Sequence, residues 1–502
     1  MSANGDQMQD VTKHGHGSAA PSYRVPLLAC VVLLIGLGFT LNFTSSESNS
    51  PLALIFFTLN GSFFGLMLSR SLSRQPISFE TMAWYFAFVF FFLVPLAQAI
   101  SGNWKWFEAS NLSDGILLSY VNLYILSAFT VFFFAYNVAK RRFQRRYFDP
   151  HKHFYYWVPW RTFIVGSGFL CLLLLYAADF GGIESLISRS ARGESVDMTV
   201  GEQSDQRAIL VIGNNIARPG LLFFALITLF LPSIARDRRF GGWATLGPFS
   251  FVFFVFAILA NLPTGPARYY VLSLAMLILA FVFRSQSVRA GVMLMFLTLG
   301  IYISSILDRL RYTGWDLMGL FQFNTDYFFV GHFNSFETVA HCVLWVKEKG
   351  VSFGAELLGV VLFWVPRSLW HGKPQTPSVE FSSGYLYPQY GFEIHNVGLS
   401  TLGTFYNSFG IIGGLIFGLI MGVYAGFMDG RFSGVHASYK TSREQLQHAL
   451  PSLTLYPFLA GAFFMLLRGQ VWMGFQWSVS IAISYFLIRK IAVRRARVCP
   501  VN

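Results

Sequence analysis

WYFAFVFFFLVPLAQA, residues 84–99, runs for sixteen positions without a charge. As a helix rising 1.5 Å per residue it covers about 24 Å, most of a hydrocarbon core that needs ~20 apolar residues to cross. Pro26–Phe43, Ile116–Phe134 and Trp472–Ile488 have the same texture. Over 502 residues the chain is 54% hydrophobic and 12% charged, where soluble chains carry roughly a quarter charged residues. Segments of ~10 residues with alternating polarity, the mark of a membrane β-barrel, do not occur. The composition therefore implies an all-α, polytopic integral membrane protein.

Charge orients it. KRRFQRRYFDPHK (140–152), RDRR (236–239), RSQSVR (284–289) and RKIAVRRAR (489–497) lie between or after apolar runs. The positive-inside rule places all of them in the cytoplasm and accounts for the net charge of +13 without nucleic acid. About twelve spans follow, near 26–43, 51–69, 81–100, 114–138, 157–178, 208–234, 246–262, 267–283, 289–306, 398–428, 450–467 and 472–488. Both termini are then cytoplasmic: a polar, disordered tail over 1–25 that lacks a cleavable signal, and a basic tail over 489–502. Residues 26–306 hold the first nine spans and 398–488 the last three. The parity requires that the apolar run 352–366 not cross, so it is expected to be a re-entrant or interfacial helix inside a large extracytoplasmic segment, 308–397. Gly410, Gly414, Gly418, Gly422, Gly426 and Gly430 recur every four residues, a spacing that lets a neighbouring helix backbone approach one face. The four cysteines suggest no disulfide framework.

This topology leaves cations on the outer side, where they are normally depleted. FWVPRSLWHGKP (363–374) puts Arg367 and Lys373 there; Arg189, Arg192, Arg207, Arg268, Arg309, Arg311 and Arg468 accompany them. Arg218 sits inside an apolar run, ahead of Pro219 and Gly220, which can break a helix. A guanidinium within a span costs at least ~2.5 kcal/mol on insertion scales. Outer-face acids and lipid headgroups are one set of partners. The recurrence of arginine, which grips phosphate bidentately, favours a bound oxyanion on Arg218, Arg268, Arg309, Arg311 and Arg367, with Lys373 beside them. Asp326, His332, Glu337, Glu393 and His395 are the candidate general bases. Asp326, His332 and Glu337 are six and five residues apart, so one helix face cannot carry all three. GYLYPQYG (384–391) offers Tyr385, Tyr387 and Tyr390 as a platform for sugar rings. No DxD motif or His/Asp cluster argues for a metal, and no cofactor motif occurs.

NLPTGPARYY (261–270), LDRLRY (307–312), NTDYFFVGHFNSFETVAHCV (324–343), FWVPRSLWHGKP and STLGTFYNSFGIIGG (400–414) together resemble the bacterial oligosaccharide repeat-unit polymerases, the Wzy-type O-antigen and exopolysaccharide polymerases. The resemblance covers about 255–415 and implies a GT-C-like bundle in the bacterial inner membrane with an extracytoplasmic active site. It implies a metal-independent glycosyltransferase that moves a growing glycan from undecaprenyl diphosphate onto the next lipid-linked repeat unit. A chain-length regulator and a flippase of the same pathway are the implied partners. Three other readings stay open: an O-antigen ligase with the same donor, a lipid-linked oligosaccharide flippase, and a lipid-phosphate-sugar glycosyltransferase of the GT-C kind, whose first outer loop usually carries acids where FTSSESNSP (43–51) offers only Glu47. Against transport stand the absence of a visible internal repeat and the concentration of charge at one face.

Overall fold

The computed structural model describes residues 51–101, 115–144, 154–157, 159–179, 182–183, 205–234, 242–260, 273, 275–276, 279, 289–300, 333–365, 368–390, 398–438, 443–469 and 471–496. It is helical apart from one short ribbon. The elements are α1 (Pro51–Arg74), α2 (Phe79–Phe88), α3 (Val94–Ser101), α4 (Gly115–Gln144), β1 (Phe154–Trp157), α5 (Pro159–Asp179), α6 (Asp205–Ile234) and α7 (Gly242–Ala260). They continue with α8 (Ala290–Gly300), then α9 (Ser335–Lys349), α10 (Ala355–Val361), α11 (Pro377–Phe381), α12 (Tyr387–Tyr390), α13 (Thr401–Phe409), α14 (Ile411–Ser438), α15 (Arg443–Arg468), α16 (Val471–Ala492) and β2 (Val493–Ala496). Among the described residues, five helical stretches are long and apolar enough to cross a membrane: 52–74, 79–98, 115–144, 411–432 and 471–491. The chain is thus an all-α membrane protein in its described parts. The expected first span, 26–43, lies outside them, as do the tail 1–25, most of 267–283 and the last residues, 497–502.

The second of these stretches is not one uniform helix. Between α2 and α3, Val89–Leu93 forms a π-helical turn. Pro95 supplies no N–H to the carbonyl four residues back, and the turn before it widens to absorb the mismatch. The same device recurs at Ser382–Leu386, joining α11 to α12 ahead of Pro388.

The glycine stripe has a definite partner. A Cβ built on Gly418, Gly422, Gly426 or Gly430 falls 2.3, 2.6, 2.4 or 2.8 Å from the carbonyl oxygens of Ala128, Phe132, Tyr136 and Lys140 respectively. Both series advance by four together, so α14 runs parallel to α4 at a separation only glycine allows. The expected span 398–428 is corrected in one respect. It is two helices, α13 and α14, broken at Gly410, whose φ of +60° and ψ of −140° suit a residue without a Cβ.

At the end of this pair the fold is latched by Asp429, which is fully buried. Its carboxylate accepts the backbone N–H groups of Phe79 (3.0 Å) and Glu80 (3.1 Å), and the hydroxyls of Tyr136 (2.8 Å) and Tyr456 (2.6 Å). An anion at the open N-terminus of α2 is favoured by the helix dipole, and these donors offset its desolvation. Lys140 donates to Tyr136 at 2.7 Å and lies 3.7 Å from Glu80. One side chain therefore ties α2, α4, α14 and α15 together at the end where α4 carries Arg141 and Arg142, the side that the charge bias assigns to the cytoplasm. β1 pairs antiparallel with β2, bringing 154–157 beside 493–496. These segments adjoin or belong to two of the basic clusters, 140–152 and 489–497.

Candidate functional site

The opposite end of the bundle is organised by α9. Its sequence, SFETVAHCVLWVKEK, starts after Asn334, carries Glu337 in the first turn and Lys347 and Lys349 in the last, and stops at Gly350 (φ 84°). That charge order matches the helix dipole, and glycine closes the helix at a φ that other residues avoid. Asn334 does not cap its own helix; its Oδ1 accepts from Nε2 of Gln98 at 2.9 Å and so binds α9 to α3. Phe333 stacks on Phe90 with ring centroids 5.1 Å apart, and the Arg468 guanidinium lies 5.9 Å from the same Phe90 ring.

Glu337, His341 and Trp345 stand four residues apart, so they form one stripe along α9. All three are buried. Over the stripe lies the π-helical segment 382–386. The Tyr385 hydroxyl is 3.4 Å from His341 Nδ1, and Trp345 packs against Phe381 and Tyr385 at 5.4 and 6.3 Å. Cys342, on the adjacent face, meets α13, where a Cβ on Gly403 would come within 3.2 Å of its sulfur.

Glu337 is the unusual member. It is completely enclosed, yet neither carboxyl oxygen has a hydrogen-bond partner among the described residues. Burial pushes its pKa up to about 8, and burial likewise holds His341 neutral by lowering it to about 3. Near neutral pH the site therefore contains a carboxyl close to its midpoint beside an uncharged imidazole. A proton can be taken up there with a small pH change, which suits general base work. Among the described residues no group of three or more His, Cys, Asp or Glu side chains is placed to hold a metal ion.

Of the five bases expected from sequence, Glu337 is described; Asp326, His332, Glu393 and His395 lie outside the described residues. Of the phosphate-binding set, Arg268, Arg309, Arg311 and Arg367 likewise lie outside them. Arg218 is fully buried within an unbroken α6, so Pro219 and Gly220 do not end the helix. Its Nε donates to Asn214 at 2.9 Å and an NH group donates to the carbonyl of Ala260 at 2.6 Å. The backbone around the proline is supported by Ser484, whose hydroxyl donates to the Ile216 carbonyl at 2.6 Å. Arg218 thereby fixes the C-terminus of α7, the point from which the segment carrying Arg268 departs.

Lys373 is also buried. Its ammonium donates to the carbonyls of Phe363 (2.9 Å) and Val365 (2.8 Å) and stands 5.0 Å from the centre of the Trp472 ring. It closes the chain after α10, a helix of seven residues and so about 10 Å long. Trp364, 60% exposed, and Leu369, 79% exposed, extend from this region as an interfacial element would. Tyr385 is buried against His341, whereas Tyr387 is half exposed; Tyr390 belongs to α12. The sugar platform expected from GYLYPQYG is therefore divided between an inward and an outward tyrosine.

Sequence reasoning missed His341, Gln98, Asn334 and the placement of Arg468 over the Phe90 ring. The one local signal was Glu337 and His341 at helical i, i+4 spacing in ETVAH. Gln98 and Arg468 come from separate helices. In comparisons with known proteins, no family model, no curated protein and no solved structure matches the chain.

Proposed function

We propose that the chain is a membrane glycosyltransferase that polymerises lipid-linked oligosaccharide repeat units at the outer face of the bacterial inner membrane. The observation that carries this reading is Glu337: an enclosed carboxyl, raised toward neutrality and without a hydrogen-bond partner among the described residues, at the end of the bundle opposite the basic clusters. The resemblance of 255–415 to the oligosaccharide repeat-unit polymerases supplies the substrate class, undecaprenyl-diphosphate-linked glycans. The acceptor is the next lipid-linked unit.

In this reaction a hydroxyl of the acceptor sugar attacks the anomeric carbon of the donor glycan. The new C–O bond forms as the bond to the lipid diphosphate breaks, and the hydroxyl proton passes to the Glu337 carboxylate, which the acceptor reaches by displacing the side chains that enclose it. The diphosphate leaves as a weak base that needs charge stabilisation more than a proton. Arg268, Arg309, Arg311 and Arg367 are the residues proposed to provide it. Arg218 and Lys373 act through the backbone they hold, positioning the segments that carry Arg268 and Arg367.

The test is to delete the gene and restore it with wild-type protein or Glu337→Gln. A polymerase mutant accumulates single repeats, with glycan chains restored by wild type and not by the variant. Completed chains stranded on the lipid carrier would instead indicate a ligase. Repeats that never reach the outer face would indicate a flippase.

A further inference from the structure

We propose that the β1–β2 ribbon, with the helix ends that flank it, is a binding site for an anionic phospholipid headgroup of the inner leaflet. Each strand has four residues, and a two-stranded ribbon of that size is marginal when water is its only surroundings. Its place in the chain says what the surroundings are. β2 follows α16 without an intervening residue, and a single residue separates β1 from α5. α5 and α16 pack together. The ribbon therefore sits where one packed pair of apolar helices enters and leaves the membrane, at headgroup depth.

The register sets the aromatic strand against the basic one. Tyr155 is opposite Arg495 and Tyr156 is opposite Arg494. At the start of α5, Trp160 is 59% exposed and the Arg161 guanidinium lies 5.2 Å from its ring centre. Arg489 and Lys490 are exposed in the last turn of α16. No acid occurs in FYYWVPWR (154–161) or RKIAVRRAR (489–497). A headgroup phosphate meets cations drawn from two segments more than 300 residues apart in sequence, and the aromatic residues suit the boundary between headgroup and acyl chain. Positive-inside bias alone demands cations near this membrane face; it does not require a paired ribbon joining two of their clusters.

The full-length protein, purified in detergent, is titrated with cardiolipin, phosphatidylglycerol or phosphatidylcholine while its thermal transition is followed. The wild type is expected to shift upward with the two anionic lipids and little with phosphatidylcholine. In Arg489→Gln/Lys490→Gln/Arg494→Gln/Arg495→Gln the lipid concentration for half the shift rises by about fivefold per cation removed. Arg494→Gln/Arg495→Gln provides a milder variant, with an expected rise of about 25-fold. Arg74→Gln, in the exposed last turn of α1 and outside both clusters, is the control and should respond like wild type. The proposal is overturned by an unchanged half-point in the milder variant, by an equal response to phosphatidylcholine, or by an equal loss in the control.

Discussion

At Glu337 the environment, more than the residue type, sets the proton affinity. A carboxyl with ordinary solvation would be fully ionised at neutral pH and would be a weak base. Enclosure between α9 and its neighbours raises it to about 8. The sign of the consequence is definite. The base form gains population as pH rises, so turnover should increase with pH along a limb centred near 8, and Glu337→Gln should lack this limb and fall about 100-fold below the wild type on its alkaline plateau. Polymerisation of purified lipid-linked repeats measures both. Stability moves the other way: the folded state holds this proton more tightly than the unfolded chain, so its contribution is complete in acid and is lost as pH rises through about 8. Denaturation of Glu337→Gln should show a flatter pH dependence over that window. Asp429 is enclosed as well but has four donors. Asp429→Ala should cost on the order of 3 kcal/mol by stranding them, read as a lower melting temperature, with Asp429→Asn less affected. Glu337 was among the candidates visible in sequence, through its polar type in an apolar segment. Asp429 gave no such signal, because the hydrogen-bond donors that define its role come from α2, α4 and α15.

Among elements, α14 shows how a periodicity becomes a contact. Its glycines fix a smooth face, and the backbone of α4 occupies it. Gly422→Leu should force the helices apart, because even a Cβ there would lie 2.6 Å from the Phe132 carbonyl. Overpacking of this kind costs typically ~1–3 kcal/mol. The expected outcome is a reduced yield of folded protein and a lower melting temperature, whereas Gly168→Ala in α5, where no atom of another element lies within 4 Å of the added Cβ, should lower neither. Sequence alone disclosed the stripe and its use in helix packing. It could not disclose the partner, since any smooth helix back would serve and α4 has no matching motif. The same limit applies to 398–428, where Gly410 read as one member of the stripe and is in fact the break between two helices.

For the whole molecule, direction and parity are coupled. Parallel α4 and α14 require an odd number of crossings between residue 144 and residue 411. The five intervening spans expected from sequence satisfy this, and a crossing at 352–366 would make six and turn α14 around. Single cysteines at Lys347 and Gln375, both exposed on either side of α10, should therefore react together with an impermeant thiol reagent added from outside. Labelling of only one would place a crossing between them and reverse the assignment of the later helices. What the sequence by itself determined is the solvent: the apolar runs require a bilayer because that depends on local composition, while the cationic loops supply an expected orientation that the labelling tests. It also marked α14 for close packing and offered Glu337 among five candidate bases. Tertiary structure alone decided that Arg218 and Lys373 hold carbonyls, that Asp429 joins four helices, and that Glu337 and His341 are enclosed with Tyr385 over the imidazole. These depend on which distant groups fill the space around a side chain, and helix packing sets that neighbourhood.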